Sequence, residues 1–201
     1  MSLKSRIYFS PLFYLIHYLS VMRTWVGGGI FMVYGFYDKS RKRFLKRCRI
    51  ASTAVITDKN SLQLEDNVWI NHYVRIDASG GVKIGEGCQI GYGSCILSHS
   101  THNSIRLMGY HFMEYNAKDR AGYIAKQTTI GRYTFVGGGS YIMPGVTVGK
   151  GCVIGVNSVV THDIPNYSIA IGSPAKIVGS TKTIDKEFKS HPMAKEFYYE
   201  Q

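Results

Sequence analysis

The sequence is poor in charged residues and has no paired cysteines, and each shortage excludes a class of protein. Charged residues make up 18% of the 201-residue chain, whereas glycine is abundant at 22 residues. This composition favours one domain of β structure with tight turns over a helical bundle or a disordered chain. The four cysteines form no C-x-x-C pair, which leaves a zinc site unsupported.

Acidic residues are also scarce. There are 13 of them against 24 Lys and Arg, which gives a net charge of +11. Such a charge suits nucleic acid, an acidic membrane surface or a phosphorylated cofactor. No nucleic-acid-binding module is legible, so we predict no nucleic acid partner. A convincing cleavable signal peptide is missing as well, so we expect a cytoplasmic protein with free thiols.

Residues 1–49 are predicted to form an apolar and then basic helical segment, with Ser10 as N-cap and Pro11 as first helical residue. The uncharged run of 16 residues ends at Arg23, short of the roughly 20 needed to span a bilayer. A helix packed on the main domain, an interfacial helix and a transmembrane helix all stay open. Seven of the eleven residues from Lys39 to Arg49 are basic, which indicates either a solvated helix face or peripheral contact with the inner face of the cell membrane.

Within residues 50–178, aliphatic residues recur at steps of six, with a two-residue slip before Leu64 and another before Ile84. A helix requires a period of 3.6 and a strand a period of 2, so a period of six indicates a short strand followed by a corner. Three such units close a triangular coil, and roughly five coils stack about 4.8 Å apart to bury one apolar column. Cys88 and Cys152 are then small core residues. The aliphatic positions are Ile50, Ile56, Leu64, Ile70, Ile76, Ile84, Ile90, Ile96, Ile124, Ile130, Val136, Ile142, Val148, Ile154 and Val160.

The six-residue period is lost in residues 97–123, which we predict to be an inserted loop. An insertion of this length in a regular solenoid tends to be functional. It carries three histidines, His99, His102 and His111, and a neutral histidine is the usual base for acyl transfer to a hydroxyl. Residues 137–139 are all glycine, whose backbone N–H groups suit an oxyanion. Residues 179–201 are predicted to form a C-terminal tail helix.

The segment from Thr129 to Val178 contains IGRYTFVGGG, IMPGVTVGKGCVIGVNSVVTHDIP and GSPAKIVG. It resembles the hexapeptide-repeat acetyltransferases, most of all the galactoside, maltose and polysaccharide O-acetyltransferases. The resemblance implies an all-β, left-handed parallel β-helix, although crossovers between parallel strands are usually right-handed. It also implies acetyl-CoA as donor, no metal, and a homotrimer with active sites between subunits. The implied acceptor is a sugar hydroxyl of a capsule, O-antigen or exopolysaccharide, or of its precursor.

The resemblance also assigns roles to residues. It makes His102 the catalytic base, with His99 as the alternative. The group that orients the imidazole stays open, and Glu114 and Asp119 of the same loop are candidates. On the acceptor side, Asn71 is expected to hydrogen-bond the sugar and Asp77 to bind or orient it. Lys176 is expected to contact the phosphates of the cofactor, whereas His162 stands where relatives frequently have lysine. The expected cofactor-binding positions are Phe135, Gly138, Val156, Thr161, His162 and Lys176.

Three other functions stay open at this point. One is N-acetylation of an amino sugar, which only product analysis separates from O-acetylation. Another is a metal-dependent β-helix enzyme such as a γ-carbonic anhydrase, because three histidines lie in one loop. The third is a non-enzymatic scaffold that uses the β-helix as an assembly surface.

Overall fold

The computed structural model describes residues 11–27 and 29–199, so the predicted N-cap Ser10 lies outside the described residues. Its helices are α1 (Leu12–Gly27), α2 (His102–Met108), α3 (Thr181–Phe188) and α4 (Pro192–Phe197). Its strands are β1 (Met32–Asp38), β2 (Arg43–Ala51), β3 (Val55–Thr57), β4 (Leu62–Leu64), β5 (Trp69–Ile70), β6 (Arg75–Asp77), β7 (Val82–Ile84), β8 (Gln89–Ile90), β9 (Cys95–Leu97), β10 (His99–Ser100), β11 (Ile124–Ala125), β12 (Thr128–Ile130), β13 (Phe135–Val136), β14 (Tyr141–Ile142), β15 (Thr147–Val148), β16 (Val153–Ile154), β17 (Val159–Val160), β18 (Ser168–Ile171) and β19 (Lys176–Ser180).

Three sheets enclose the core. Sheet 1 has the order β1-β2-β5-β8-β13-β16-β18-β19, sheet 2 the order β17-β14-β9-β6-β3, and sheet 3 the order β15-β12-β7-β4. From β2 to β9 and from β12 to β17, successive strands fall on successive sheets. Their neighbours one coil away are parallel, as Ile70 with Ile90 and Ile76 with Ile96. The strand-rich, stacked architecture that the period predicts is therefore confirmed.

The predicted aliphatic column fills the space between the sheets. Ile70, Ile90 and Ile142 are fully buried. Small polar residues at the corners are buried as well, and their hydroxyls are hydrogen-bonded: Ser94 donates to the Gly137 carbonyl at 2.9 Å and Ser140 to the Gly155 carbonyl at 2.7 Å. Because each of these buried hydroxyls has a hydrogen-bond partner one coil away, the free-energy cost of removing it from water is small.

One position of the predicted column lies elsewhere. Ile124 keeps the six-residue spacing, but it belongs to β11, which pairs antiparallel with β10, and it is only partly buried. The inward column resumes at Ile130, which is 1% exposed. The six-residue spacing alone does not distinguish a residue inside a coil, such as Ile130, from one on the strand by which the loop returns to the coil, such as Ile124.

The prediction of a helical segment through residue 49 is wrong for its second half. Helix α1 ends at Gly27, and the basic run falls on the antiparallel hairpin of β1 and β2. The reason is burial, because Leu45 and Cys48 of β2 join the core and hold this segment as a strand. Asp38, 1% exposed, closes the turn by accepting hydrogen bonds from Ser40 and Arg41.

The hairpin covers the first coil. Its Arg43 pairs with Glu65 at 2.6 Å, and Arg41 also contacts Glu65. Helix α1 packs on the hairpin through aromatic contacts, with the His17 and Phe44 ring centroids 4.8 Å apart. We call the stack of three-sided coils the prism. The N-terminal segment is attached to it through β2, which pairs in parallel with β5.

The C-terminal tail contains two short helices in place of the single predicted one. Strand β19 first pairs antiparallel with β18, and α3 and α4 then follow. Pro192 begins α4, where its missing N–H costs nothing, and His191 accepts a hydrogen bond from the Met193 N–H. Proline at this point explains why one continuous helix does not form.

Candidate active site

The inserted loop leaves the prism where sheet 2 passes into sheet 3, a corner that we call edge 2–3 (residues 77–81, 97–127, 143–146 and 161–163). Strands β10 and β11 form an antiparallel ribbon at its base. The Lys126 N–H donates to the Ser98 carbonyl at 2.9 Å, and the Thr128 hydroxyl donates to Leu97 at 2.6 Å. These bonds return the chain to the corner it left, so the loop projects without breaking the column.

His99 and Asp77 meet at the base of this loop. Asp77 ends β6 and is in register with Leu97, two residues before His99. The His99 Nδ1 atom lies 2.7 Å from Asp77 Oδ2, with the carboxylate side chain 7% exposed and the imidazole 31% exposed. Tyr123 covers one side of the imidazole, with ring centroids 6.0 Å apart. The sequence reasoning named both members of this pair but not their contact.

The Asp77 carboxylate is set up to stay ionised. Burial raises the pKa of this group, but the Ser79 hydroxyl at 2.6 Å, the Ser79 N–H at 3.0 Å and His99 bring the pKa below its ordinary value. An ionised carboxylate at Nδ1 favours the tautomer that carries its proton there, which leaves Nε2 to accept one. The contact has the distance of an ion pair but not the geometry of a hydrogen bond. It brings a carboxylate beside an imidazole, an arrangement that suits general-base chemistry. Ser79 was missed, although Asp-x-Ser after a strand is a recognisable turn signal.

His102 occupies a different environment. It is exposed at the first position of α2, and its Nδ1 lies 2.7 Å from the Ser100 hydroxyl. The two carboxylates suggested as its orienting groups do not contact it, because Glu114 pairs with His111 at 2.9 Å and Asp119 accepts a hydrogen bond from Asn116. The carboxylate neighbour belongs to His99.

Other predicted residues lie on the corner between sheets 1 and 2, which we call edge 1–2 (residues 71–74, 91–94, 137–140 and 155–158). Asn71 donates through Nδ2 to the Ile90 carbonyl at 3.1 Å. The N–H groups of Gly137 and Gly139 donate to Ile154 and Tyr92 in neighbouring coils. These two glycines therefore cannot serve an oxyanion as predicted, and Gly138 is left as the candidate.

The remaining predicted positions are exposed on the outside of the prism. Phe135 is on the outer face of sheet 1 and Val156 on edge 1–2, both open to solvent. Thr161 and His162 follow β17 on edge 2–3, with the Thr161 Oγ1 atom 2.9 Å from His162 Nδ1. Lys176 is exposed at the start of β19. One chain thus brings Asp77 and His99 together on edge 2–3, and it leaves the other predicted residues spread over edge 1–2, edge 2–3 and sheet 1.

Within residues 11–27 and 29–199, no group of three His, Cys, Asp or Glu side chains is placed to hold a metal ion.

Comparison with known proteins gives the same repeat. The family model for bacterial transferase hexapeptide (six repeats) matches residues 127–162, which contain β12 to β17. A Staphylococcus aureus (strain MRSA252) protein named as an acetyltransferase is 48% identical over 64 residues, 32% of this chain and 31% of that protein. Chloramphenicol acetyltransferase of Agrobacterium fabrum is 37% identical over 119 residues, 55% of this chain and 54% of that protein.

Solved structures agree. Galactoside acetyltransferase in complex with coenzyme A is 26% identical, with a TM-score of 0.55 over 66% of this chain and 62% of that one. The matches span about a third to about half of the length of the curated relatives. The resemblance to hexapeptide-repeat acetyltransferases that the sequence indicated is confirmed.

Proposed function

We propose that this chain, which resembles the hexapeptide-repeat acetyltransferases, is a left-handed β-helix enzyme that transfers an acetyl group from acetyl-CoA to a sugar hydroxyl. The observation that carries the proposal is the transferase hexapeptide match over residues 127–162, together with the galactoside acetyltransferase that holds coenzyme A on a similar fold. The acceptor is proposed to be a surface polysaccharide, such as a capsule, O-antigen or exopolysaccharide, or its precursor.

The acceptor hydroxyl needs a base, because it attacks a thioester readily only as its proton is removed. We assign this role to Nε2 of His99, with Asp77 stabilising the imidazolium that forms. The hydroxyl oxygen then bonds to the thioester carbonyl carbon, the C–S bond breaks, and the proton passes to the leaving sulfur. His102 is the alternative base that the resemblance suggests, and the Gly138 N–H is the candidate donor to the oxyanion.

The outer face of the prism suits the donor. Phe135 and Val156 expose apolar surface that matches the pantetheine arm of acetyl-CoA. Lys176 is an exposed cation that suits its phosphates, because an ammonium group is a compact charge with three donors. Thr161 and His162 lie on edge 2–3 with His99, so the donor is proposed to pass between this edge of one copy and the Phe135 and Val156 surface of a neighbouring copy.

A homotrimer would explain why the predicted residues occupy two edges. In a three-fold assembly, edge 2–3 of one copy can face another edge of its neighbour, which places Asp77 and His99 opposite residues such as Asn71. The active site is then shared between subunits.

The test is turnover of acetyl-CoA by the purified chain. We expect release of coenzyme A, measured by chromatography, to require an added glycan, and mass spectrometry to place the acetyl group on oxygen. Acetyl-CoA alone should raise the melting temperature through binding to the folded state. An acetyl group on an amine would correct the reaction to N-acetylation. If acetyl-CoA gave no thermal shift and no glycan gave turnover, the proposed enzyme activity would be rejected, and the non-enzymatic scaffold would be the better explanation.

A further inference from the structure

One face of α1 exposes apolar side chains at helical spacing. Leu15, Tyr18, Leu19 and Met22 occupy positions i, i+3, i+4 and i+7, and each is between 53% and 65% exposed. The opposite face is covered, because Phe13 is 2% exposed and packs against the hairpin. We call these four side chains the α1 stripe. A contiguous apolar surface of this kind, left open while the other face is buried, marks a binding surface.

Positive charge lies on the hairpin that α1 packs against. Residues 29–50 contain seven Lys and Arg, of which Arg41 and Arg43 pair with Glu65, and one acidic residue, Asp38. Asp38 is 1% exposed and is paired with Arg41 at 2.7 Å, so it offers no negative charge to a partner. One of these bases lies against the helix, with Lys46 Nζ 5.2 Å from the centre of the Tyr14 ring. The occupant of this surface must therefore be apolar and anionic.

We propose that the α1 stripe docks on an anionic lipid bilayer, with the helix lying in the plane of the membrane interface. An apolar face beside a basic face is the pattern that binds there, because acyl chains take up the first and headgroup phosphates attract the second. Tyr14 and Tyr18 suit the boundary between acyl chains and headgroups, since tyrosine has an apolar ring and a polar tip. A second copy of the chain is a poorer occupant, because pairing two such surfaces would oppose like charges.

Helix α1 is shorter than the hydrocarbon core of a bilayer is thick. Its 16 residues extend about 24 Å at 1.5 Å per residue, less than the roughly 30 Å of the hydrocarbon core. Among residues 11–27 and 29–199, no helix is long and apolar enough to cross a bilayer. This inference does not rest on the proposed acetyl transfer, since neither Asp77 nor His99 takes part in it.

The test is flotation of the full chain with vesicles. We expect binding to a two-to-one mixture of phosphatidylcholine and phosphatidylglycerol, weaker binding to phosphatidylcholine alone, and release by high salt. Met22→Glu puts a charge in the α1 stripe and should lower the partition coefficient about tenfold or more. Met113→Glu is the matched control, because Met113 is 78% exposed in the inserted loop, and this variant should bind like the wild type.

Three results would overturn the proposal. The first is a wild type that floats with neither vesicle, and the second is a Met22→Glu variant that binds as well as the wild type. Light scattering without lipid could also show an oligomer that dissociates on Met22→Glu, which would make a second copy the occupant. Melting curves of each variant report whether the fold is intact, and Leu19→Gln provides a second, milder change in the same stripe.

Discussion

His99 Nδ1 lies 2.7 Å from Asp77 Oδ2, so the imidazole at the base of the inserted loop is held by a carboxylate from the previous coil. The contact follows from the stacking, because Asp77 is in register with Leu97 and the chain leaves the column immediately afterwards. A residue that ends a strand in one coil thereby becomes the neighbour of whatever the next coil inserts at that corner.

The first prediction distinguishes the two candidate bases. His99→Ala should lower kcat for acetyl transfer by about 10²- to 10⁴-fold, the usual contribution of a general base, whereas His102→Ala should lower it less than about tenfold. The reason is that, of these two histidines, His99 is the one with a carboxylate at its Nδ1. Single-turnover rates with saturating acetyl-CoA measure the chemical step. A larger loss of kcat in His102→Ala than in His99→Ala would make His102 the base.

The second prediction concerns Asp77 as a positioning residue. Asp77→Asn keeps the shape of the side chain but removes its charge, so kcat should fall about tenfold or more while the KM for acetyl-CoA stays unchanged. Asp77→Glu should recover part of the lost kcat. A rise in the acceptor KM with no loss of kcat would instead give Asp77 the sugar-binding role that the sequence suggested.

The third prediction concerns how the free energy of unfolding changes as the pH falls. The pKa of Asp77 is lowered in the folded protein, because the Ser79 hydrogen bonds and His99 outweigh the opposing effect of burial. A lowered folded pKa gives stability that is present above the unfolded value of about 3.9 and is lost as pH falls through the folded value. The difference in unfolding free energy between wild type and Asp77→Asn should therefore be largest near neutral pH and shrink in acid. Urea titrations at several pH values measure it, and a constant difference would contradict the linkage.

The column could be predicted from the sequence because its period is a direct consequence of geometry. A residue every six positions must point inward once a three-sided coil is adopted, and Ile70, Ile96 and Ile142 do so. The hairpin could not be predicted in this way. Its basic residues carry no period, and its strands form because Leu45 and Cys48 find a core to enter.

The candidate site was predictable in its residue types but not in its pairing. Histidines in a loop that interrupts a regular repeat indicate catalysis, yet the choice of imidazole depends on which one returns to the corner beside Asp77. That depends on the β10–β11 ribbon, whose antiparallel pairing of His99 with Ala125 is a long-range contact with no local signal.

The fourth prediction tests the assignment of cysteines to the core. Burial raises the pKa of the Cys48 and Cys88 thiols to about 12, and it raises the pKa of Cys152 as well. Cys95 is only partly buried. Because the thiolate is the reactive form, we expect one rapid reaction with Ellman's reagent at neutral pH and three slow ones. Cys95→Ser should abolish the rapid phase, and two rapid thiols in the wild type would contradict the packing.

The last prediction compares two glycines on edge 1–2. A Cβ atom on Gly91 would lie 2.5 Å from the Gly138 nitrogen and 2.7 Å from the Val136 oxygen. These are backbone atoms of the next coil, so Gly91→Ala must push two coils apart and should cost about 3 kcal/mol or more. Gly93 has a φ of +65° but nothing within 4 Å of its Cβ position, so Gly93→Ala should cost only about 1 kcal/mol, through the left-handed conformation. Urea unfolding of both variants gives the comparison. Equal losses of unfolding free energy would mean that backbone conformation alone requires glycine on this edge. A larger loss at Gly91 shows that the close approach of the coils requires it there.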